Sequence, residues 1–497
     1  MKAHSKHSKK CPPGLELLNE HIGRRSYHWH KSLVLVLTFL CYAGFHASRK
    51  PPSIVKSVLR GEVPFDGNWQ STRETGSAPV IELELPYSLL GGWAPFNGPK
   101  GQSMLGEVDL AFLGAYAIGM FYAGHLGDRL DLRLFLSAGM MGSGIFVALF
   151  GMGFFWNIHS LAYYIVVSVF AGIFQSTGWP SVVSIVANWS GNGKRGLVMG
   201  IWNAHTSVGN ILGSVIAAAL LSSGWGWSYL ALGLVMMGLA ELIFLFLVVS
   251  PQDIGMAAPD SRPCDEEMKL PPQGETHSIR FLDAWRIPGV RSYALCLFFA
   301  KLIAYTFLYW LPYYIKTTPI EGHMLSHKEA GSLSVLFDIG GVAGGVMAGH
   351  LSDKSGASAL VSMAFLLLAV PCLLLYRTMG HISFPANVSL MMLSGFCVNG
   401  PYALITTAVS ADLGTHESLQ GNSKALATVT AIIDGMGSLG AALGPLLTGY
   451  ISQHGGFDNV FTMLYLSALT AALLILKLAA RELQAMWSKT IRPNAQH

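Results

Sequence analysis

What most constrains this chain is a succession of apolar stretches, each long enough to cross the hydrocarbon core of a bilayer, which takes roughly 20 residues. Twelve are expected, near 32–49, 108–127, 134–156, 161–187, 196–221, 227–250, 292–315, 329–350, 358–377, 385–411, 422–452 and 457–479. All are too long for strands, and in lipid a helix satisfies its own backbone hydrogen bonds. The expected fold class is therefore an all-α membrane protein. Composition agrees: of 497 residues, 52% are hydrophobic and only 12% charged, against about 25% charged in an ordinary soluble domain. That excludes a set of soluble domains, and it excludes disorder, which needs low hydrophobicity and high charge. Lys and Arg total 32 against 28 for Asp and Glu, a net charge of +4, too balanced for a nucleic-acid binder. The cysteines (Cys11, Cys41, Cys264, Cys296, Cys372 and Cys397) show no CxxC or close pair, so no disulfide framework is expected. A polar, basic head precedes the first stretch and no small-residue cleavage site follows it, which reads as a span rather than a signal peptide.

The loops predict topology. The head carries Lys2, Lys6, Lys9, Lys10, Arg24, Arg25 and Lys31, and short loops on the same side carry Arg129, Arg133, Lys194, Arg195 and Lys354. The tail carries Arg481, Lys489 and Arg492, whereas the loops at 157–160, 222–226 and 453–456 hold no Lys or Arg. The positive-inside rule then puts both termini in the cytosol. The expected organisation is a cytosolic tail at 1–31 and a first six-helix half at 32–250 containing a non-cytosolic loop at 60–106. A proline-rich cytosolic linker follows at 251–291, then a second half at 292–480 and a cytosolic tail at 481–497.

The halves repeat. Ala123-Gly124-His125-Leu126-Gly127-Asp128-Arg129 after span two is echoed by Ala348-Gly349-His350-Leu351-Ser352-Asp353-Lys354 after span eight. Ser207-Val208-Gly209-Asn210-Ile211-Leu212-Gly213 in span five is echoed by Ser438-Leu439-Gly440-Ala441-Ala442-Leu443-Gly444 in span eleven, and Gly178-Trp179-Pro180 by Asn399-Gly400-Pro401. Similar offsets in the same order predict two six-helix halves of like orientation, a parallel-repeat transporter architecture with substrate held between the halves near the midplane.

The Gly-x-Leu-x-Asp-Arg loop and its echo resemble the signature loops of the major facilitator superfamily, and the resemblance covers the whole chain. Tyr42-Ala43-Gly44-Phe45-His46-Ala47-Ser48-Arg49-Lys50, Ser176-Thr177-Gly178-Trp179-Pro180 and Trp202-Asn203 look like motifs of its organophosphate:phosphate antiporters. Within that branch the chain is most similar to the eukaryotic sugar-phosphate exchangers and the plant glycerol-3-phosphate transporters. The resemblance implies exchange of a three- or six-carbon phosphate ester for inorganic phosphate. It also implies departures from the bacterial members. Their span-seven arginine falls at Ala304 with Lys301 nearby, their span-five histidine at Thr206 beside His205, and their span-two lysine at Met120.

An ionised side chain at mid-bilayer costs at least ~2.5–3.5 kcal/mol, so such residues face water or a partner. Arg49 precedes Lys50-Pro51-Pro52. If the helix resumes after the prolines, Arg49 lies within the span as a guanidinium fork for phosphate; if it stops, Arg49 is an interfacial anchor. The family motif favours the phosphate fork. Lys50 points elsewhere on a helix and reads as an anchor. Lys301 sits mid-span seven, matching Arg49 in the other half, as the second arm of a phosphate clamp or as one side of a structural ion pair. Asp338 in span eight and Asp434 in span eleven could each neutralise Lys301 in the empty site, carry a proton, or pack as protonated carboxyls. The resemblance places an acidic residue at Asp338. Tyr42, His46, Tyr116, Asn203, His205 and Tyr305 are candidate substrate contacts or plain packing residues. Asp128, Arg129, Asp353 and Lys354 read as positive-inside anchors or as a cytosolic gate. Gly209, Gly213, Gly437, Gly440 and Gly444 read as helix-packing positions.

No cofactor or metal site is expected. Gly191-Asn192-Gly193-Lys194 lacks Walker spacing, and His4, His7, His21, His28 and His30 lack the fixed spacing a membrane enzyme would need. The expected function is alternating-access exchange of an organic phosphate for inorganic phosphate, by a monomer in the bilayer. The alternative is a proton-coupled symporter of a sugar or organic anion using Asp338 or Asp434. Pro493-Asn494-Ala495-Gln496-His497 is no known address, which leaves plasma membrane and endoplasmic reticulum both open.

Overall fold

The structure, a computed structural model, describes residues 11–23, 25–61, 91–127, 130–189, 202, 204–256, 285–409, 413 and 423–491. Its first part comprises α1 (Pro13–Ile22), α2 (Tyr27–Ala47), α3 (Pro51–Arg60), α4 (Gly101–Gly127), α5 (Leu132–Phe155), α6 (Leu161–Gln175), α7 (Gly178–Trp189), α8 (His205–Leu220) and α9 (Trp225–Phe246). Its second part comprises α10 (Val290–Thr317), α11 (His327–Leu333), α12 (Val335–Ser355), α13 (Ser358–Met379), α14 (Phe384–Leu404) and α15 (Ser423–Ile491). A single bridge, Ile320 to His323, is the only β feature among the described residues.

Ten helical stretches among the described residues are long and apolar enough to cross a membrane. The protein is thus an integral, multi-pass, all-helical membrane protein. The count differs from the twelve expected at two places. α14, which covers most of 385–411, is not one of the ten. The last two expected stretches run as one element, α15, interrupted at Gly456, whose φ of 66° breaks the helix. Large apolar side chains such as Val36, Leu40, Ile118, Leu234, Val346, Leu368 and Leu473 are exposed, a surface that water would not tolerate and lipid requires.

The first span shows how sequence sets the geometry. Ser26 caps α2 by accepting from the Trp29 amide at 3.3 Å. Pro51 and Pro52 then stop the helix, because proline lacks the amide to continue the ladder and its ring crowds the preceding turn, although Lys50 itself keeps near-helical dihedrals of −88° and −30°. The same prolines suit the first turn of a new helix, so α3 restarts at once and the span extends over Tyr27–Arg60. Ser48, Arg49 and Lys50 fall in the break, all nearly inaccessible.

The glycine echoes sit at matching helix contacts. A Cβ at Gly209 or Gly213 of α8 would strike the carbonyls of Ala43 and Ala47 on α2. A Cβ at Gly440 or Gly444 of α15 would strike those of Phe298 and Leu302 on α10. In lipid, association rests on such close packing rather than on hydrophobic burial. Gly440→Val should therefore lower the thermal midpoint of the detergent-purified protein, at a cost of about 1–3 kcal/mol from overpacking. Gly349→Ala, where an added Cβ meets nothing within 4 Å, should leave it unchanged.

Candidate functional site

The break between α2 and α3 carries two cations into the centre of the helix assembly. Arg49, 3% exposed, donates through Nε to the Gln175 side-chain oxygen at the end of α6. One of its terminal nitrogens lies 3.5 Å from the Tyr305 hydroxyl of α10. Its guanidinium carbon stands 4.6 Å from the centre of the Tyr116 ring of α4. Gln175 is itself positioned by its amide nitrogen, which donates to Ser48 Oγ at 3.1 Å. Helices of both parts of the chain therefore meet at one guanidinium.

The other buried cations are each matched by a carboxylate. Lys50 Nζ is 3.2 Å from Asp338 Oδ2 of α12. Lys301 Nζ of α10 is 2.7 Å from Asp434 Oδ1 of α15 and faces the Tyr402 ring at 5.4 Å. Lys56 Nζ of α3 is 2.8 Å from Asp109 Oδ1 of α4. Among the described residues, Arg49 is the buried cation whose partners are all neutral. An unpaired charge in a low-dielectric interior is costly, so an anion placed beside this guanidinium would offset that cost.

Beside the guanidinium, on the α2–α8 contact, lies an aromatic and histidine cluster. His205 is fully buried, with its ring centre 4.3 Å from that of Trp202 and 4.6 Å from that of Tyr42. His46, one turn before Arg49, stacks on His205 at 6.3 Å. His46 Nδ1 and His205 Nε2 have no hydrogen-bond partner, although buried polar groups ordinarily have one.

Of the sequence candidates, Arg49, Tyr116 and Tyr305 meet, as do Tyr42, His46 and His205. Lys301 and Asp434 pair, whereas Asp338 goes to Lys50, with Asn210 Nδ2 at 3.5 Å on its other oxygen. The reading of Lys50 as an interfacial anchor is corrected: it is 2% exposed and ion-paired, because the helix break turns it inward. Asp353 and Lys354 are exposed at the end of α12. Asn203, Asp128 and Arg129 lie outside the described residues. Sequence reasoning missed Gln175, a neutral amide without a charge signal, and the pair Lys56–Asp109. The spacing of Lys56 from Arg49 becomes visible only once the span is extended through the prolines.

A profile described as Major Facilitator Superfamily matches residues 96–418 and 317–494. The Arabidopsis thaliana protein named "Putative glycerol-3-phosphate transporter 1" is 53% identical over 489 residues, covering 95% of this chain and 92% of its own. A glucose-6-phosphate exchanger of Danio rerio is 46% identical over 504 residues, covering 97% and 98%. Among solved structures, a bacterial homolog of the human lysosomal transporter Spinster, inward-facing and unoccupied, superposes with a TM-score of 0.60 at 15% identity over 92% of this chain and 97% of that one.

Two lysine–aspartate pairs in one interior allow a cross-check. Asp434→Asn leaves Lys301 as a bare buried ammonium and should cost about 3–5 kcal/mol. Adding Lys301→Met should restore most of the loss. Lys301→Met combined with Asp338→Asn should instead be additive within about 0.5 kcal/mol, as for residues that share no contact. Thermal unfolding of the single and double variants reads both cycles.

Proposed function

This chain belongs to the major facilitator superfamily, and on that premise we propose that it exchanges an organic phosphate ester for inorganic phosphate by alternating access. The observation that carries the proposal is the Arg49 guanidinium, buried among Gln175, Tyr116 and Tyr305 with no carboxylate beside it. A phosphate monoester carries about −1.5 to −2 charge at neutral pH, and guanidinium grips phosphate oxygens bidentately. The relatives' names point the same way: one is a glycerol-3-phosphate transporter, another a glucose-6-phosphate exchanger. Three- and six-carbon phosphate esters are accordingly the substrate class.

Lys301, one turn before Tyr305 on α10, is the second cation in reach. In the proposed cycle phosphate takes over part of the Lys301 charge now matched by Asp434, and Lys50–Asp338 holds the break in α2–α3 in place. Tyr42, His46 and His205 flank the site toward α8, where the unpaired imidazole nitrogens of His46 and His205 suit the hydroxyls of the organic moiety, and Asn203 is proposed with them as a substrate contact. The proposed scaffold has twelve spans in two parallel six-helix halves with both termini cytosolic, α14 counting as one span and Gly456 dividing the last two. The halves are 32–250 and 292–480, flanked and joined by cytosolic segments at 1–31, 251–291 and 481–497. The like packing of α2 on α8 and of α10 on α15 supports the repeat. Asp128, Arg129, Asp353 and Lys354 form the proposed cytosolic gate, and a monomer suffices because each half supplies part of the site.

Two measurements test this. Arg49→Lys keeps the charge and loses the fork. It forfeits a charge-assisted hydrogen bond of about 1.5–3 kcal/mol, so phosphate exchange in proteoliposomes should fall tenfold or more while the protein still inserts. Wild-type exchange by that variant would remove Arg49 from the site. In the second measurement, glycerol-3-phosphate, glucose-6-phosphate and inorganic phosphate should each compete with labelled phosphate for uptake into phosphate-loaded vesicles, and free glycerol and glucose should not. Equal inhibition by the free sugars would replace the exchanger with a sugar symporter.

A further inference from the structure

The Lys56–Asp109 pair lies outside the phosphate site, and nothing above gives it a task. Lys56 stands seven residues beyond Arg49, toward the end of α3, and both side chains are 1% exposed. The two residues belong to the first half, so they move together. What covers them does not. Tyr309 and Trp310 of α10, in the second half, lay their rings on the ammonium with centres 5.4 and 5.1 Å away. Trp310 is held in place by its indole nitrogen, which donates to the Pro445 carbonyl at 3.0 Å.

The same end of the molecule is closed by uncharged hydrogen bonds and by one carboxylate–phenol bond between the halves. Ser57 Oγ meets His327 Nδ1 at 2.7 Å, Gln102 meets the Tyr313 hydroxyl at 2.8 Å, Ser103 Oγ meets Gln453 at 2.7 Å, and the Tyr450 hydroxyl meets Glu107 at 2.6 Å. In the proposed topology this is the non-cytosolic end, because it adjoins the loop between α3 and α4. A cavity of about 30 Å3, bounded by Ser48, Arg49, Asp109 and Tyr309 among others, lies between Asp109 and Arg49 and adjoins both.

We infer that Lys56 and Asp109 set the balance between closed and open states at the non-cytosolic end, as a charge pair carried by one half and seated under aromatic rings of the other. The inference rests on the alternating-access reading above. Asp109 already neutralises Lys56, so the ammonium is no second phosphate site. In the closed state the pair has lost its water, and the rings return part of that loss through cation–π attraction. In the open state the rings withdraw and water returns to both charges. The dry pair therefore penalises closure, and the ring seat offsets the penalty, which keeps the two states close enough in free energy to interconvert.

Opposite signs for two variants follow. Asp109→Asn leaves an unmatched ammonium under the rings and favours opening. Lys56→Met with Asp109→Asn removes the desolvation cost of closure, as when a buried pair is replaced by groups of similar volume, and favours the closed state. The reporter is Ser103→Cys, a near-isosteric change at a position 4% exposed when this end is closed, labelled by a membrane-impermeant maleimide on the non-cytosolic side of proteoliposomes. Relative to the reporter chain alone, Asp109→Asn should label about tenfold faster or more, and the double variant more slowly. Lys56→Arg, which keeps the cation over the rings, should label within about twofold of the reporter chain. Trp310→Leu leaves the pair intact, so it tests the seat even where Asp109→Asn folds poorly, and it should also label faster. Inorganic phosphate added to the reporter chain should change the labelling rate. If it does, and Asp109→Asn and the double variant shift labelling in the same direction or not at all, the role of the pair is overturned and the exchange reading stands. If phosphate leaves the reporter chain's labelling unaltered, alternating access itself is overturned, and this inference with it.

Discussion

A charge surrounded by hydrocarbon needs a partner, and among the described residues the interior meets that need for three lysines and leaves Arg49 among neutral groups. Lys50, Lys56 and Lys301 each reach a carboxylate within about the length of a hydrogen bond. Arg49 reaches an amide, a phenol and the face of an aromatic ring. Those neutral groups orient the guanidinium without discharging it. In the proposed exchange, a cation so placed would attract an anion without holding it permanently, which is the balance a carrier needs if it is to release what it binds.

The helix contacts make that arrangement possible. Carboxylates on α12 and α15 can meet lysines on the first span and on α10 only because the backbones pass close together. Gly440 and Gly444 remove the side chains that would hold α15 off α10, and Gly209 and Gly213 do the same where α8 meets α2. The break at Ser48–Lys50 adds the other ingredient. A continuous helix would place Arg49 and Lys50 on different faces; the turn before Pro51 lets both stay buried, one toward Gln175 and one toward Asp338. Packing and chemistry are thus set by the same few small or rigid residues.

Much of this was legible in the sequence because its signals are local. Length and apolarity of the stretches specify membrane helices. The prolines at 51 and 52 specify a break, after which the sequence allows the helix either to stop or to resume, and the glycine spacing specifies close contacts. Arg49, Lys301, Asp338 and Asp434 stand out as charges among apolar neighbours whatever the fold. The α14 segment was less legible: it is expected as a span, yet it is not among the stretches apolar enough to cross a membrane, and its place in the assembly comes from packing against α12 rather than from hydropathy.

Which charge meets which was decided by tertiary structure alone. From the chain, Asp338 and Asp434 were both candidates for Lys301; the crossing of α10 with α15 gives Asp434 to Lys301, and the approach of α12 to α8 and to the first span gives Asp338 to Lys50. Lys56 and Asp109, distant in sequence and each near the apparent edge of a span, carry no local sign that they meet. The physical reason is that the cost of burying a charge is a property of the residue and its immediate surroundings, so sequence reveals it. The compensation depends on distances of a few ångströms between helices far apart along the chain, and only the folded packing sets those.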